Sequence, residues 1–341
     1  MILRLLVRFF AALASMMGFG NADTSKSYSD SRTQELVEVF ESEKWSLVSA
    51  LGSGISGGVF SIKTGHLFNK KTYALKIIKD KLTYENERNA MEELKNISYF
   101  PQLIQCKLGV NCHFILMSQH LCDVSKMLSL MKEKKFSIMT ATKVFKECLE
   151  ALRVMHEKSL LHRDVKPSNI LISMDGRRIL LTDFGHSAKY VAVNRELCTP
   201  YFIGTPAYAS LNVQAYFEPT LRDDLLSLFY TGVCMLGALP WVDCTDPIYI
   251  MFQKTFVEDY IQTLPNEYWN IYNYLSSVSQ HETPHYVWVM QQLDALMDKQ
   301  CENKERKYDW ELIKSGECDE EIIQKMHKHR KPRWSFFSLF S

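Results

Sequence analysis

The chain has no C-x-x-C pair; its nine cysteines are scattered, which argues against a zinc site and a disulfide framework and fits a reducing compartment. An excess of one charge sign is missing too. Lys+Arg 40 against Asp+Glu 39 leaves a formal net charge of +1, so bulk electrostatics gives no reason to expect a nucleic-acid partner. No repeat is evident, which argues against a solenoid. The apolar leader Met1–Gly20 contains Arg4 and Arg8 and falls short of the ~20 uninterrupted apolar residues of a spanning helix. What is present is 341 residues with 46% hydrophobic side chains, enough for substantial cores.

Two runs carry the chemistry. His162-Arg163-Asp164-Val165-Lys166-Pro167-Ser168-Asn169 gathers a carboxylate, an ammonium and a carboxamide in one short loop, and Asp183-Phe184-Gly185 follows. Ser159-Leu160-Leu161, Ile170-Leu171-Ile172 and Arg178-Ile179-Leu180-Leu181-Thr182 read as short strands around them, with a turn at Gly176. Upstream, Leu51 to Phe60 matches G-x-G-x-x-G-x-V, and Tyr73-Ala74-Leu75-Lys76 follows at strand spacing. Thr83 to about Asn96 is helix-like and holds Glu85, Glu87, Glu92 and Glu93. Taking Glu87 as the inward acid puts Met91 and Leu94 on the same face.

Together these motifs resemble the signatures of a protein kinase. The resemblance implies an α+β bilobal protein kinase fold, with a small β-rich N-lobe carrying one main helix and a larger, mainly helical C-lobe. ATP and Mg²⁺ are the implied cofactors. Asp164 would accept the substrate hydroxyl proton, Lys166 would reach the γ-phosphate, and Asn169 and Asp183 would hold the metal. Gly52, Gly54 and Gly57 would let backbone amides close over the triphosphate, Lys76 would bind its α- and β-phosphates, and Glu87 would pair with Lys76. Phe114 to His120 fits the hinge. Met117 would be the gatekeeper, backbone groups of Ser118 to His120 would face adenine, and Val59 and Ala74 would cover it.

Gly204-Thr205-Pro206-Ala207-Tyr208-Ala209-Ser210-Leu211-Asn212 replaces the usual Ala-Pro-Glu. With Arg222-Asp223-Asp224-Leu225 and Leu239-Pro240-Trp241 it resembles the casein kinase 1 family over about Trp45 to Leu312, closing at Tyr308-Asp309-Trp310-Glu311. That implies a catalytic role for Thr205, bonded to Asp164 and Lys166, a structural one for Asp224, and Ser/Thr rather than Tyr as acceptor. Ala207 stands where the family has a phosphate-binding arginine, and acids follow Trp241 where lysines are expected. A bidentate arginine is hard to replace, so no preference for primed or strongly acidic peptides is expected. His186, Thr199 and Tyr201 are left without an assigned role.

Residues 1–43 read as an apolar leader and polar linker outside the fold, 44–312 as the kinase domain divided near residue 120, and 313–341 as a tail. The leader is either a targeting segment or an inert extension. In the tail, His327 to Arg333 is basic and Trp334 to Phe340 aromatic-rich, which reads as a weak membrane or docking contact. The expected protein is a monomer, cytoplasmic or nuclear, with Ser/Thr-containing proteins as partners and no nucleic acid. Two alternatives stay open: a pseudokinase-type scaffold, and a small-molecule kinase on a related fold.

Overall fold

In the computed structural model the described residues are 31–54, 57–64, 71–131, 133–191, 199, 201–280, 282–300 and 307–314. The leader as far as residue 30 and the basic-aromatic tail lie outside them. The described residues fall into two compact units. Those up to Ile97, with Pro101–His120, form the first; Ser98–Phe100 and those from Leu121 form the second.

The first unit is an antiparallel sheet in the order β1-β2-β3-β5-β4, built from β1 (Trp45–Gly54), β2 (Gly57–Thr64), β3 (Thr72–Ile78), β4 (Leu103–Lys107) and β5 (His113–Ser118). Side chains alternate between its faces. Register places Val59 opposite Lys76 and Ala74 opposite Met117, so these four share one face. Phe60, Ile62, Leu75, Ile77, Phe114 and Leu116 line the other and are buried.

That second face is covered by helix α1 (Ser31–Ser42). Leu36, Val39 and Phe40 are buried there with Trp45, each worth about 1.5–3 kcal/mol of transfer energy. Glu35 on the same helix accepts from the amides of Val110 (2.6 Å) and Asn111 (2.8 Å) and from Asn111 Nδ2 (2.9 Å). The reading of residues 1–43 as lying outside the fold is therefore corrected from Ser31 onward. Leu36, Val39 and Phe40 make one helical stripe, and the apolar underside of the sheet needs a cover.

Helix α2 (Lys81–Glu93) follows β3, capped by Asp80, whose carboxylate accepts from Thr83 N at 2.7 Å and Thr83 Oγ1 at 2.8 Å. Bonds to the charged form hold the Asp80 carboxyl below its usual range. Tyr84, Glu87, Ala90 and Met91 face inward.

The second unit is mainly helical. Short strands β6 (Cys122–Asp123), β8 (Ile170–Ile172) and β9 (Ile179–Leu181) form one small sheet, β7 (Leu160–Leu161) and β10 (Ala188–Lys189) another. Around them lie α3 (Val124–Leu130), α4 (Ile138–Glu157), α5 (Leu211–Gln214), α6 (Leu221–Met235), α7 (Pro247–Lys254), α8 (Val257–Ile261), α9 (Asn266–Ser277), α10 (Tyr286–Gln300) and α11 (Asp309–Lys314). α6 is buried nearly all round, as its largely apolar run from Leu225 onward requires. α4 packs against it and against α10.

The closing motif is built into this core. Tyr308 and Trp310 are buried and stacked at 4.4 Å. Tyr308 donates to Glu147, which also accepts the Ile179 amide at 2.7 Å, and Trp310 Nε1 donates to Gly176 O at 2.8 Å. The β8–β9 hairpin, which joins Asn169 to Asp183, is thus fastened at its turn. No helix among the described residues is long and apolar enough to cross a membrane.

Candidate active site

In the first unit, Lys76 and Glu87 form an ion pair, Glu87 only 1% exposed. Met91 and Leu94 are buried with Glu87, so the face chosen from spacing is the packed one. The neighbouring acids Glu85 and Glu92 pair at the helix surface with Lys81 and Arg88. Gly57, at φ +149°, approaches β3 so closely that a Cβ would lie 1.8 Å from the Ile77 carbonyl oxygen, so strand packing alone demands glycine there. Gly52 has open space around it. Gly54 pairs with Gly57 where β1 and β2 meet.

Met117 is buried beside Ala74 in the register of β3 and β5. At the hinge the Ser118 amide donates to Gln102 O at 2.9 Å, so of the backbone donors assigned to a base there, that of Ser118 is already committed. Its hydroxyl accepts from Gln102 N (3.0 Å) and lies 3.0 Å from His120 Nε2.

The second unit, by itself, holds the other candidate residues. Asp224, buried in α6, accepts the His162 amide through Oδ2 (2.7 Å) and the Arg163 amide through Oδ1 (2.8 Å). His156 Nε2 lies 3.0 Å from Oδ2, and the Tyr286 hydroxyl lies against His156 Nδ1. Burial alone would push the Asp224 carboxyl up. The bonds from His156 and His162 outweigh it and hold the group below its usual range. Arg163 sits at φ +66°, outside the comfortable region for a side-chain-bearing residue, and Asp224 holds it there. Gly204, at φ +111°, presses on the same turn; a Cβ would stand 2.7 Å from the Arg163 carbonyl oxygen.

Held by this scaffold, Asp164 meets three partners. Thr205 Oγ1 donates to its Oδ1 at 2.7 Å, Lys166 Nζ lies 2.7 Å from its Oδ2, and Lys166 also donates to Thr205 Oγ1 at 2.8 Å. Asn169 Nδ2 donates to the Asp164 carbonyl at 2.8 Å and to Oδ2 at 3.2 Å. Both Asn169 amide hydrogens are therefore spent on Asp164, which leaves the carboxamide oxygen as a ligand. Asp183, at φ +66°, begins the tight turn Phe184–His186. Phe184 is fully buried between the rings of Phe100 and His162. Burial lowers the His186 pKa, against the opposing charges of Asp164 and Asp183. The Thr199 hydroxyl donates to the backbone carbonyl of Tyr201 at 3.0 Å.

An anionic lysine-contacted acid, a hydroxyl bridge, an oriented carboxamide and a second carboxylate make a site suited to a hard cation and a polyanion. A family model described as protein kinase domain matches residues 45–330.

The chain belongs to the protein kinase domain family.

Within that family it is similar to a probable serine/threonine-protein kinase of Dictyostelium discoideum, 27% identical over 282 residues, 79% of this chain and 57% of that one. It is also similar to casein kinase I homolog 2 of Schizosaccharomyces pombe, 28% identical over 201 residues, 54% of this chain and 46% of that one. The chain thus spans about half the length of these curated relatives. A protein kinase domain implies ATP and a divalent cation, and the oxygen-rich pair of Asn169 and Asp183 fits such a cation. The matched kinase domain begins at Trp45, so α1 lies ahead of it.

Sequence reading missed three side chains of the kinase domain that shape this site. Lys254 is fully buried and donates to the carbonyl oxygens of Pro206 (2.6 Å) and Ala209 and to Gln214 Oε1 (3.0 Å). Its place on the stripe Ile250, Lys254, Val257, Ile261, apolar but for itself, was the available signal. His156 and Tyr286 gave none, because they join only through the fold. Ala207, at the position of the family's arginine, is buried, and its carbonyl accepts Trp241 Nε1 at 2.9 Å.

Proposed function

We propose that this protein is an ATP-dependent Ser/Thr protein kinase, transferring the γ-phosphate to Ser or Thr hydroxyls of protein substrates. The observation that carries this reading is the Thr205 hydroxyl bonded at once to Asp164 and Lys166, since it orients both a proton acceptor and a phosphate-reaching cation. Asp164 takes the proton of the acceptor hydroxyl. Lys166 meets the charge that develops on the transferred group, where positioning and electrostatics supply most of the catalysis.

When bound, Mg²⁺ neutralises the triphosphate. Asn169 and Asp183 would hold it, and Lys76, oriented by Glu87, would meet the α- and β-phosphates. The buried, side-chain-short Ala207 and the acids Asp243 and Asp246 support a substrate surface without the primed-phosphate preference of casein kinase 1 relatives. The test is ATP turnover against a degenerate Ser/Thr peptide library, run beside Asp164→Asn. Turnover in the wild type, lost in the variant, is expected; equal rates would refute the catalytic reading. A strong selection for phosphoserine upstream of the acceptor would refute the specificity.

A further inference from the structure

Helix α7 has two faces of opposite character. Its inner face is fixed: Ile250 is buried, Lys254 holds the carbonyls of Pro206 and Ala209, and Trp241 just before the helix bonds Ala207. Its outer face is apolar and open. Within α7, Ile248 is 80% exposed, Phe252 56% and Tyr249 49%, and Phe256, just past its end, is 45% exposed; Phe252 lies three residues on from Tyr249 and four from Ile248, which puts it beside both. The Phe252 and Phe256 rings lie 5.1 Å apart, edge to face, so they form one surface. Single exposed apolar residues are ordinary, whereas a contiguous row marks an interaction site.

The surrounding charge narrows the partner. Asp243, Asp246, Glu258 and Asp259 are all exposed, and the only base between Val242 and Gln262 is the buried Lys254. An apolar centre with an acidic rim is complementary to apolar anchors set beside cations.

We propose that the outer face of α7 is a docking surface for a substrate segment in which aromatic or aliphatic anchors adjoin a run of Lys or Arg. The inference rests on the kinase reading and deepens it by naming a substrate class. The inner face of α7 holds the backbone immediately after Thr205, so a segment seated outside is tethered near the loop that bears the acceptor-site residues. Tethering raises the effective concentration of an acceptor on the same chain. The aromatic anchors supply affinity and the acids partner choice.

The test uses the full-length protein and the fluorescein-labelled peptide Arg-Lys-Arg-Arg-Gly-Trp-Ala-Phe-Phe-Leu, read by anisotropy. Saturable binding is expected, weakened at least about tenfold by Phe252→Ser with Phe256→Ser and by Asp243→Lys with Asp246→Lys, and weakened by added salt. Fusing the same segment through a Gly-Ser linker to a serine acceptor should lower the acceptor's KM in the wild type but not in these variants. The KM and kcat of the unlinked acceptor should be the same in the wild type and in the Phe252/Phe256 variant. Unchanged binding in the variants, or equal binding of a control peptide with its aromatics changed to alanine, overturns the proposal. So does a dimer that the Phe252/Phe256 change dissolves without affecting the probe, which would assign the face to a second copy. If the wild type phosphorylates no peptide, the kinase reading fails while anisotropy still decides the docking surface.

Discussion

Thr205 Oγ1 donates to Asp164 Oδ1 at 2.7 Å, so the carboxylate assigned as proton acceptor is oriented by a residue of the substrate-side loop. Replacing Thr205 by valine keeps the shape and removes the bond. A kcat loss of about 10²-fold or more is expected from the misplaced acid, with the KM for ATP changed far less. Thr205→Ser should recover most of the rate. Steady-state kinetics with both substrates varied would check it; a valine variant at wild-type kcat would count against the role.

Lys76 and Glu87 form a nearly buried pair, and removing one partner strands the other. Glu87→Ala should cost about 3 kcal/mol of stability and lower turnover, since Lys76 loses its orientation. Thermal melts and initial rates would show both. A variant that melts like the wild type would mean the pair opens readily in solution.

The Asp224 carboxyl is held below its usual range in the folded chain. A carboxyl depressed by folding contributes stability that is present above its unfolded value of about 3.9 and lost as pH falls through the folded one. Denaturant melts should therefore show an acid-side loss of stability that is shallower in Asp224→Asn. That variant should also lose activity at neutral pH, because one carboxylate oxygen accepting backbone amides becomes a donor. Equal acid slopes would remove Asp224 from the account.

Helix α1 should be required for the first unit. Phe40→Ala is expected to cost about 3–5 kcal/mol through lost transfer energy and a cavity, and Glu35→Ala about 1–3 kcal/mol through amides left without their acceptor. Urea unfolding of the full-length variants would measure both. Melts insensitive to Phe40→Ala would mean that the buried stripe adds little.

Lys254→Met removes the donor to two carbonyl oxygens and a carboxamide, with an expected cost of about 2–4 kcal/mol and a KM for peptide that rises more than that for ATP. Protein melts and paired KM values would reveal it. Lys254→Arg, bulkier in a closed site, should rescue only in part.

How much was legible in advance follows the range of the interactions. The loops holding Asp164, Asn169 and Asp183, the strand of Lys76 and the inward face at Glu87 were readable because each is a short motif or a local periodicity. α4 (Ile138–Glu157) and α6 (Leu221–Met235) follow the same local apolar periodicity. α1 was missed because its stripe is short and preceded by polar residues, and only the uncovered face of the sheet shows why it must fold. The Ser118 amide looked available because nothing in the sequence places Gln102 beside it.

Taken alone, the sequence determined the motifs that suit phosphoryl transfer, because each is a set of residue types at fixed spacing within one short stretch. Tertiary structure decided orientation, because Asp164, Thr205, Asp224, His156 and Lys254 come from distant segments and meet only when buried polar groups find partners. It also decided which face of α7 is spent on the substrate-side loop and which is left to water.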